Sequence, residues 1–159
     1  MNCDATMDIN EFKTLFLQTV NNRDNPYHPL VWINGEPEIG LGTYIGGFSE
    51  VNARGARVII GRDCDIASFV AINVADSHRR CIGLADTNSC LDIVIGDCVF
   101  IGSHCAILGG AMIGHHSVVG AGTVVRAGII PPFSLVAGNE VKSGYYRAEF
   151  EARFGTCQE

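Results

Sequence analysis

The sequence predicts an all-β fold: a parallel β-helix of hexapeptide repeats, with one external loop and short terminal helices. Three observations carry that prediction. From Ile95 the chain reads IGDCVF, IGSHCA, ILGGAM, IGHHSV, VGAGTV and VRAGII, each opened by a branched aliphatic residue. The same frame occurs upstream, as IGLGTY, IGGFSE and VNARGA from Ile39 and as IGRDCD, IASFVA and INVADS from Ile60. Glycine supplies 19 of 159 residues, about 12% against a usual ~7%.

A period of six is neither the 2 of an ordinary strand nor the 3.6 of a helix, so it implies short strands joined by tight corners. Three hexads close one triangular coil, and coils stack ~4.8 Å apart, the spacing of hydrogen-bonded strands. Each coil buries its apolar positions only against its neighbours. Glycine at the second position suits a backbone that a Cβ would crowd.

The elements follow in order. Residues 1–38 are expected to form an N-terminal helix and cap. Asp8-Ile9-Asn10-Glu11 resembles a capping box, and Ile9, Phe12, Leu15, Phe16 and Val20 form a helical stripe. Residues 39–141 are the β-helix. Arg57–Ile59 reads as a three-residue insertion between coils. Residues His78–Val94 form a 17-residue loop that returns in register at Ile95. Such loops on one face of a solenoid often carry binding function. Pro131-Pro132 is expected to disrupt the repeat. Residues 142–159 are a tail, with a short helix within Tyr145–Phe154.

Composition narrows the function classes. The net charge is −6 with no basic stripe, which argues against a nucleic-acid partner. No apolar run approaches the ~18 residues that span a bilayer, and the acidic N-terminus lacks a signal core, so a cytoplasmic protein without a membrane partner is expected. The seven cysteines are odd in number and form no C-x-x-C pair, which fits reduced thiols and no metal. The 42 residues from 95 to 136 hold two formal charges, Asp97 and Arg126. A slender solenoid would expose that surface to water, so burial against other subunits is expected.

Four segments carry a family resemblance: VADSH at Val74–His78, IGDCVFIGSHCAI at Ile95–Ile107, VVGAGTVV at Val118–Val125 and IPPFSLVAGN at Ile130–Asn139. Through them the chain resembles the hexapeptide-repeat acyltransferases, and within these the sugar and xenobiotic O-acetyltransferase branch. The resemblance implies a left-handed β-helix, acetyl-CoA as donor, a homotrimer, and active sites between neighbouring subunits.

Acetyl transfer needs a base on the acceptor and donors for the oxyanion. His78, at the root of the loop, matches the family's catalytic histidine, although its spacing from the hexad is one residue longer. Asp76 stands two residues upstream, where it could orient His78 or bind the acceptor. His104 falls in register with Phe69 and Gly122, within reach of acceptor or pantetheine. Asn52, with Glu50 and Arg54, is a further acceptor candidate. Ser103 and Ala121 are third positions one coil apart, and they match positions that contact coenzyme A in the family. Arg126 falls where the family uses a polar-basic pair near the coenzyme, the second member being Ala127 here, and Lys142 matches a basic position just after the final Gly-Asn; both could meet the coenzyme's phosphates. Glu140 departs from the pattern, since the family has proline after the final Gly-Asn. His115 and His116 suit a surface or interface, and His28 has no expected role.

The sequence therefore reads as an acetyl-CoA-dependent acetyltransferase acting on a hydroxyl or amine of a sugar or nucleotide-linked aminosugar. One rival is a γ-class carbonic anhydrase, which needs H-x4-H. Here His104 is followed five residues later by Gly109, and His78 by Gly83. The other is a non-catalytic hexapeptide scaffold, which leaves the VADSH and IGSH segments unexplained.

Overall fold

The computed structural model describes residues 30–156 and, ahead of them, Asp8, Glu11, Thr14, Leu15, Gln18 and Tyr27. Glu11, Thr14, Leu15 and Gln18 are helical. The other stripe positions, Ile9, Phe12, Phe16 and Val20, lie outside the described residues, as does His28.

The chain winds into a left-handed parallel β-helix of triangular section. The first wall stacks Trp32–Asn34, Glu50–Asn52, Ala71–Asn73, Ala106–Leu108 and Val124–Val125. The second stacks Glu38–Ile39, Val58–Ile60, Ile93–Ile95, Ala111–Ile113 and Gly128–Ile130. The third stacks Tyr44–Ile45, Asp65–Ile66, Phe100–Ile101, Val118–Val119 and Leu135–Ala137, and Glu140–Lys142 closes its end as an antiparallel partner. The first rung begins at Trp32, ahead of residue 39, because Ile33 pairs with Val51 although its own hexad lacks the repeat's small residues.

The hexad-opening residues point inward and are buried from Ile45 through Val136. Each buried aliphatic side chain contributes about 1.5–3 kcal/mol relative to exposure. Fifth positions are also inside, and their hydroxyls are satisfied by backbone: Thr43 Oγ1 donates to the Gly61 carbonyl at 2.7 Å, and Ser134 Oγ donates to the Pro131 carbonyl at 2.6 Å.

Register shows where the repeat is interrupted. Residues 107 and 125 pair across 18 positions, but 51 and 72 pair across 21, and 72 and 107 across 35. The three extra residues between coils are taken up at the Arg54–Ala56 corner, not at Arg57–Ile59, where Val58 must stay buried in its strand. The diproline does not disrupt the repeat. Ile113 pairs with Ile130 across 17 positions, so the hexad from Val125 is one residue short and Ile130-Pro131-Pro132-Phe133-Ser134-Leu135 is a new hexad. The prolines stand at a corner that asks nothing of their missing N–H groups.

Fourth positions turn the corners with left-handed backbone. Phe48, Phe69 and His104 do so into the first wall, and Asp63, Cys98, His116 and Phe133 do so into the third. Helix α1 is the single turn His78–Cys81 in the loop, and α2 is Arg147–Phe154. Phe150 of α2 packs on Phe133 and His116, with ring centroids 5.1 and 4.7 Å away.

Candidate active site

The loop leaves the first wall as a narrow hairpin. Ala75–Asp76 pairs antiparallel with Ser89–Cys90, and α1 turns between them. The root sits close against the next coil because residue 109 is glycine: a Cβ there would lie 2.7 Å from the Val74 carbonyl oxygen. At the exit, Asp92 accepts from the Arg57 backbone N–H at 2.9 Å and from its guanidinium at 3.0 and 2.7 Å. Arg80 Nε donates to Asn88 Oδ1 at 2.7 Å and stiffens the loop from within.

His78 begins α1, beside the hairpin. Its backbone N–H donates to Asp76 Oδ1 at 3.0 Å, and its ring Nδ1 stands 2.5 Å from the same oxygen. A carboxylate accepts only, so Nδ1 carries a proton, and in the neutral ring the lone pair is then on Nε2. The backbone N–H of His78, and after it the ring, hold the Asp76 carboxyl below the usual carboxylate range. Both side chains are exposed, so the pair's value lies in ring orientation and tautomer more than in stability.

Beside the pair opens a cleft of about 740 Å³ whose lining includes Asn73, Asp76, His78, Leu108, Gly109 and Arg126. Asn73 Oδ1 accepts from the Ala75 backbone N–H at 2.9 Å and from Asn52 Nδ2 at 3.1 Å. Asn52 therefore stands one rung behind the cleft and supports Asn73, which sequence reasoning missed. The available signal was position: Asn52 and Asn73 both follow the aliphatic residue that opens a hexad on the first wall.

The structure does not bring Ser103, His104 and Ala121 into this cleft. They lie at the opposite edge of the first wall, at the corner entering it. Ser103 and Ala121 stack one coil apart, as the Phe100–Val118 register requires, and His104 lies 4.9 Å from the Phe69 ring. Arg126 faces the His78 cleft and also lines a smaller groove of about 240 Å³ with Asn139 and Val141. Lys142 follows Val141 in the closing strand.

His115 and His116 border a separate groove of about 680 Å³ on the second wall, with Asp97, Met112, Ile129 and Pro131. Its lining also includes Val94, which the structure places in the Ile93–Ile95 strand and not in the loop, and neither His78 nor Asp76 reaches it. Cys64 and Cys105 are buried, and burial pushes both thiols up, as suits small apolar side chains. Among the described residues no helix is long and apolar enough to cross a membrane.

Residues 92–127 match the family model "Bacterial transferase hexapeptide (six repeats)". A Saccharomyces cerevisiae protein with a provisional acetyltransferase name, YJL218W, is 39% identical over 92 residues, covering 55% of this chain and 45% of that one. The chain thus spans less than half the length of the first curated relatives it matches. Among solved structures, the hexapeptide-repeat acetyltransferase VCA0836 of Vibrio cholerae, complexed with acetyl coenzyme A, is 26% identical with a TM-score of 0.62, covering 87% of this chain and 78% of that one. The polySia-specific acetyltransferase NeuO is 30% identical with a TM-score of 0.57, covering 70% of this chain and 59% of that one.

Proposed function

We propose, from the chain's membership of the hexapeptide-repeat transferase family, that it is an acetyl-CoA-dependent acetyltransferase acting on a hydroxyl or amine of a sugar or nucleotide-linked aminosugar. The observation that carries this reading is the Asp76–His78 pair at the edge of a cleft large enough for a sugar. Acetyl-CoA in the VCA0836 structure and the polysialic acid specificity named for NeuO support donor and acceptor class.

In this mechanism His78 Nε2 takes the acceptor's proton as its oxygen or nitrogen attacks the thioester carbonyl. Asp76 holds Nδ1–H and stabilises the imidazolium that forms. Backbone N–H groups of the coils stabilise the oxyanion. Collapse of the tetrahedral intermediate expels the coenzyme thiolate, which receives the proton from His78. Asn73, braced by Asn52, orients an acceptor hydroxyl. Ser103 and Ala121 hold the pantetheine arm, and Arg126 and Lys142 meet the phosphates.

The proposed donor corner and the base lie at opposite edges of one wall, so a complete site needs a neighbouring subunit. This supports a homotrimer, as do exposed apolar side chains such as Met112 and Ile129, the latter 77% exposed. The cytoplasm, which supplies acetyl-CoA, is the proposed compartment.

The test is a coenzyme A release assay, reading free thiol across sugars and nucleotide-linked aminosugars. Acceptor-dependent release supports the reading. Absence of release across the panel, with acetyl-CoA binding also absent, contradicts it.

A further inference from the structure

The corner entering the first wall carries, coil by coil, Phe48, Phe69, His104 and Gly122, with φ of 63°, 63°, 61° and 70°. The first three form a ladder. The Phe48 and Phe69 rings stack with centroids 5.1 Å apart and planes within 10°. Phe69 and His104 stack at 4.9 Å and within 8°. The fourth rung has no ring, and a Cβ built on Gly122 would meet nothing within 4 Å.

The backbone does not demand glycine there. Seven non-glycine residues among those described hold a left-handed φ, three of them in this column. His104 thus shows one imidazole face to Phe69 and the other to an open gap over Gly122. Coils repeat every ~4.8 Å, so the gap admits a single flat layer. The gap is held in place by the Gly122 backbone N–H, which donates to the Ser103 carbonyl at 2.9 Å. Ser103 and Ala121, the residues proposed to hold the donor's arm, immediately precede His104 and Gly122.

We infer that this gap is a stacking slot for a flat π group of the donor, with His104 as the ring on which it lies. The inference rests on the acetyl-CoA reading and deepens it. Phe48 and Phe69 brace the imidazole from behind, and His104 selects and aligns the donor. The shared chemistry is a planar conjugated group, supplied either by an amide of the pantetheine arm or by the adenine.

Gly122→Phe fills the slot with a fourth ring, in a backbone conformation that Phe48 and Phe69 already adopt. His104→Ala removes the platform without touching Gly122. Calorimetry with coenzyme A, pantetheine and adenosine 3′,5′-bisphosphate reads both variants, and light scattering reads their assembly. Gly122→Phe should weaken coenzyme A at least tenfold, and His104→Ala by about 3–10-fold, the loss expected for one aromatic contact. A parallel loss for pantetheine assigns the amide, and one for the bisphosphate assigns the adenine. Wild-type affinity in folded Gly122→Phe overturns the slot. So does unchanged binding in His104→Ala if Gly122→Phe misfolds or changes only the assembly, which would place a neighbouring copy's side chain in the gap. Failure of the wild-type protein to bind coenzyme A overturns the donor reading together with the slot.

Discussion

One carboxylate oxygen of Asp76 receives both the backbone N–H and the ring Nδ1 of His78, at 3.0 and 2.5 Å. Two bonds to one atom fix both the start of α1 and the plane of the imidazole. Replacing Asp76 by Asn keeps the size but weakens the hold on Nδ1–H and on the imidazolium. The expected result is a kcat lower by about 10–100-fold, part of what a general base supplies, with coenzyme A affinity unchanged. Because Asp76 titrates below an unfolded carboxyl, this link is present above the unfolded value of about 3.9 and is lost as pH falls through the lower folded value. Activity loss above pH 5 should therefore report other groups.

Gly109→Ala places a methyl group against the Val74 carbonyl, so the root of the loop must move. We expect a loss of about 1–3 kcal/mol in unfolding free energy, as for overpacking. A fall in kcat should accompany it, since Val74 leads directly into Asp76 and His78. Denaturation together with steady-state kinetics checks both.

His116 is packed against Phe133 and Phe150 and is pushed down by burial, then by His115, with Asp97 acting the other way. Arg147 of α2 also lies over the Phe133 ring. The unfolded histidine, at about 6.5, binds its proton more readily than the folded one, so stability falls as pH drops below that value. Thermal melts between pH 7.5 and 5.5 should show a decreasing Tm. His116→Phe should flatten that decline relative to the wild-type protein.

Arg126 and Lys142 test the coenzyme's phosphate end. Arg126→Ala and Lys142→Ala should each weaken coenzyme A while leaving pantetheine unaffected, measured by calorimetry. Unchanged affinity in both variants would leave Arg126 to the acceptor, whose cleft it also lines.

The coils were legible because each aliphatic opening recurs at a fixed interval and has one place to go, the interior. Interruptions were harder to place. A three-residue insertion can be absorbed at any corner, and burial of Val58 assigned it to Arg54–Ala56. The shortened hexad at Val125 was hidden because Ile129 and Ile130 are both aliphatic, yet Ile130 is buried while Ile129 is exposed. His78 and Asp76 were readable as a local motif. The partnership of Asn73 with Asn52 depends on pairing across 21 residues, and Arg126 enters the cleft only because the coil it belongs to stacks beneath the loop.

The central claim, that His78 is the base, is tested most directly by kcat at saturating acetyl-CoA for His78→Ala beside His104→Ala. Loss of general-base assistance should lower kcat of the His78 variant by about 10²–10⁴-fold, with acetyl-CoA affinity retained. The His104 variant should keep a near-normal kcat once donor is saturating. A His78 variant within a few-fold of wild type, beside a His104 variant reduced more than about a hundredfold, would contradict the account and move the base to the corner of the β-helix.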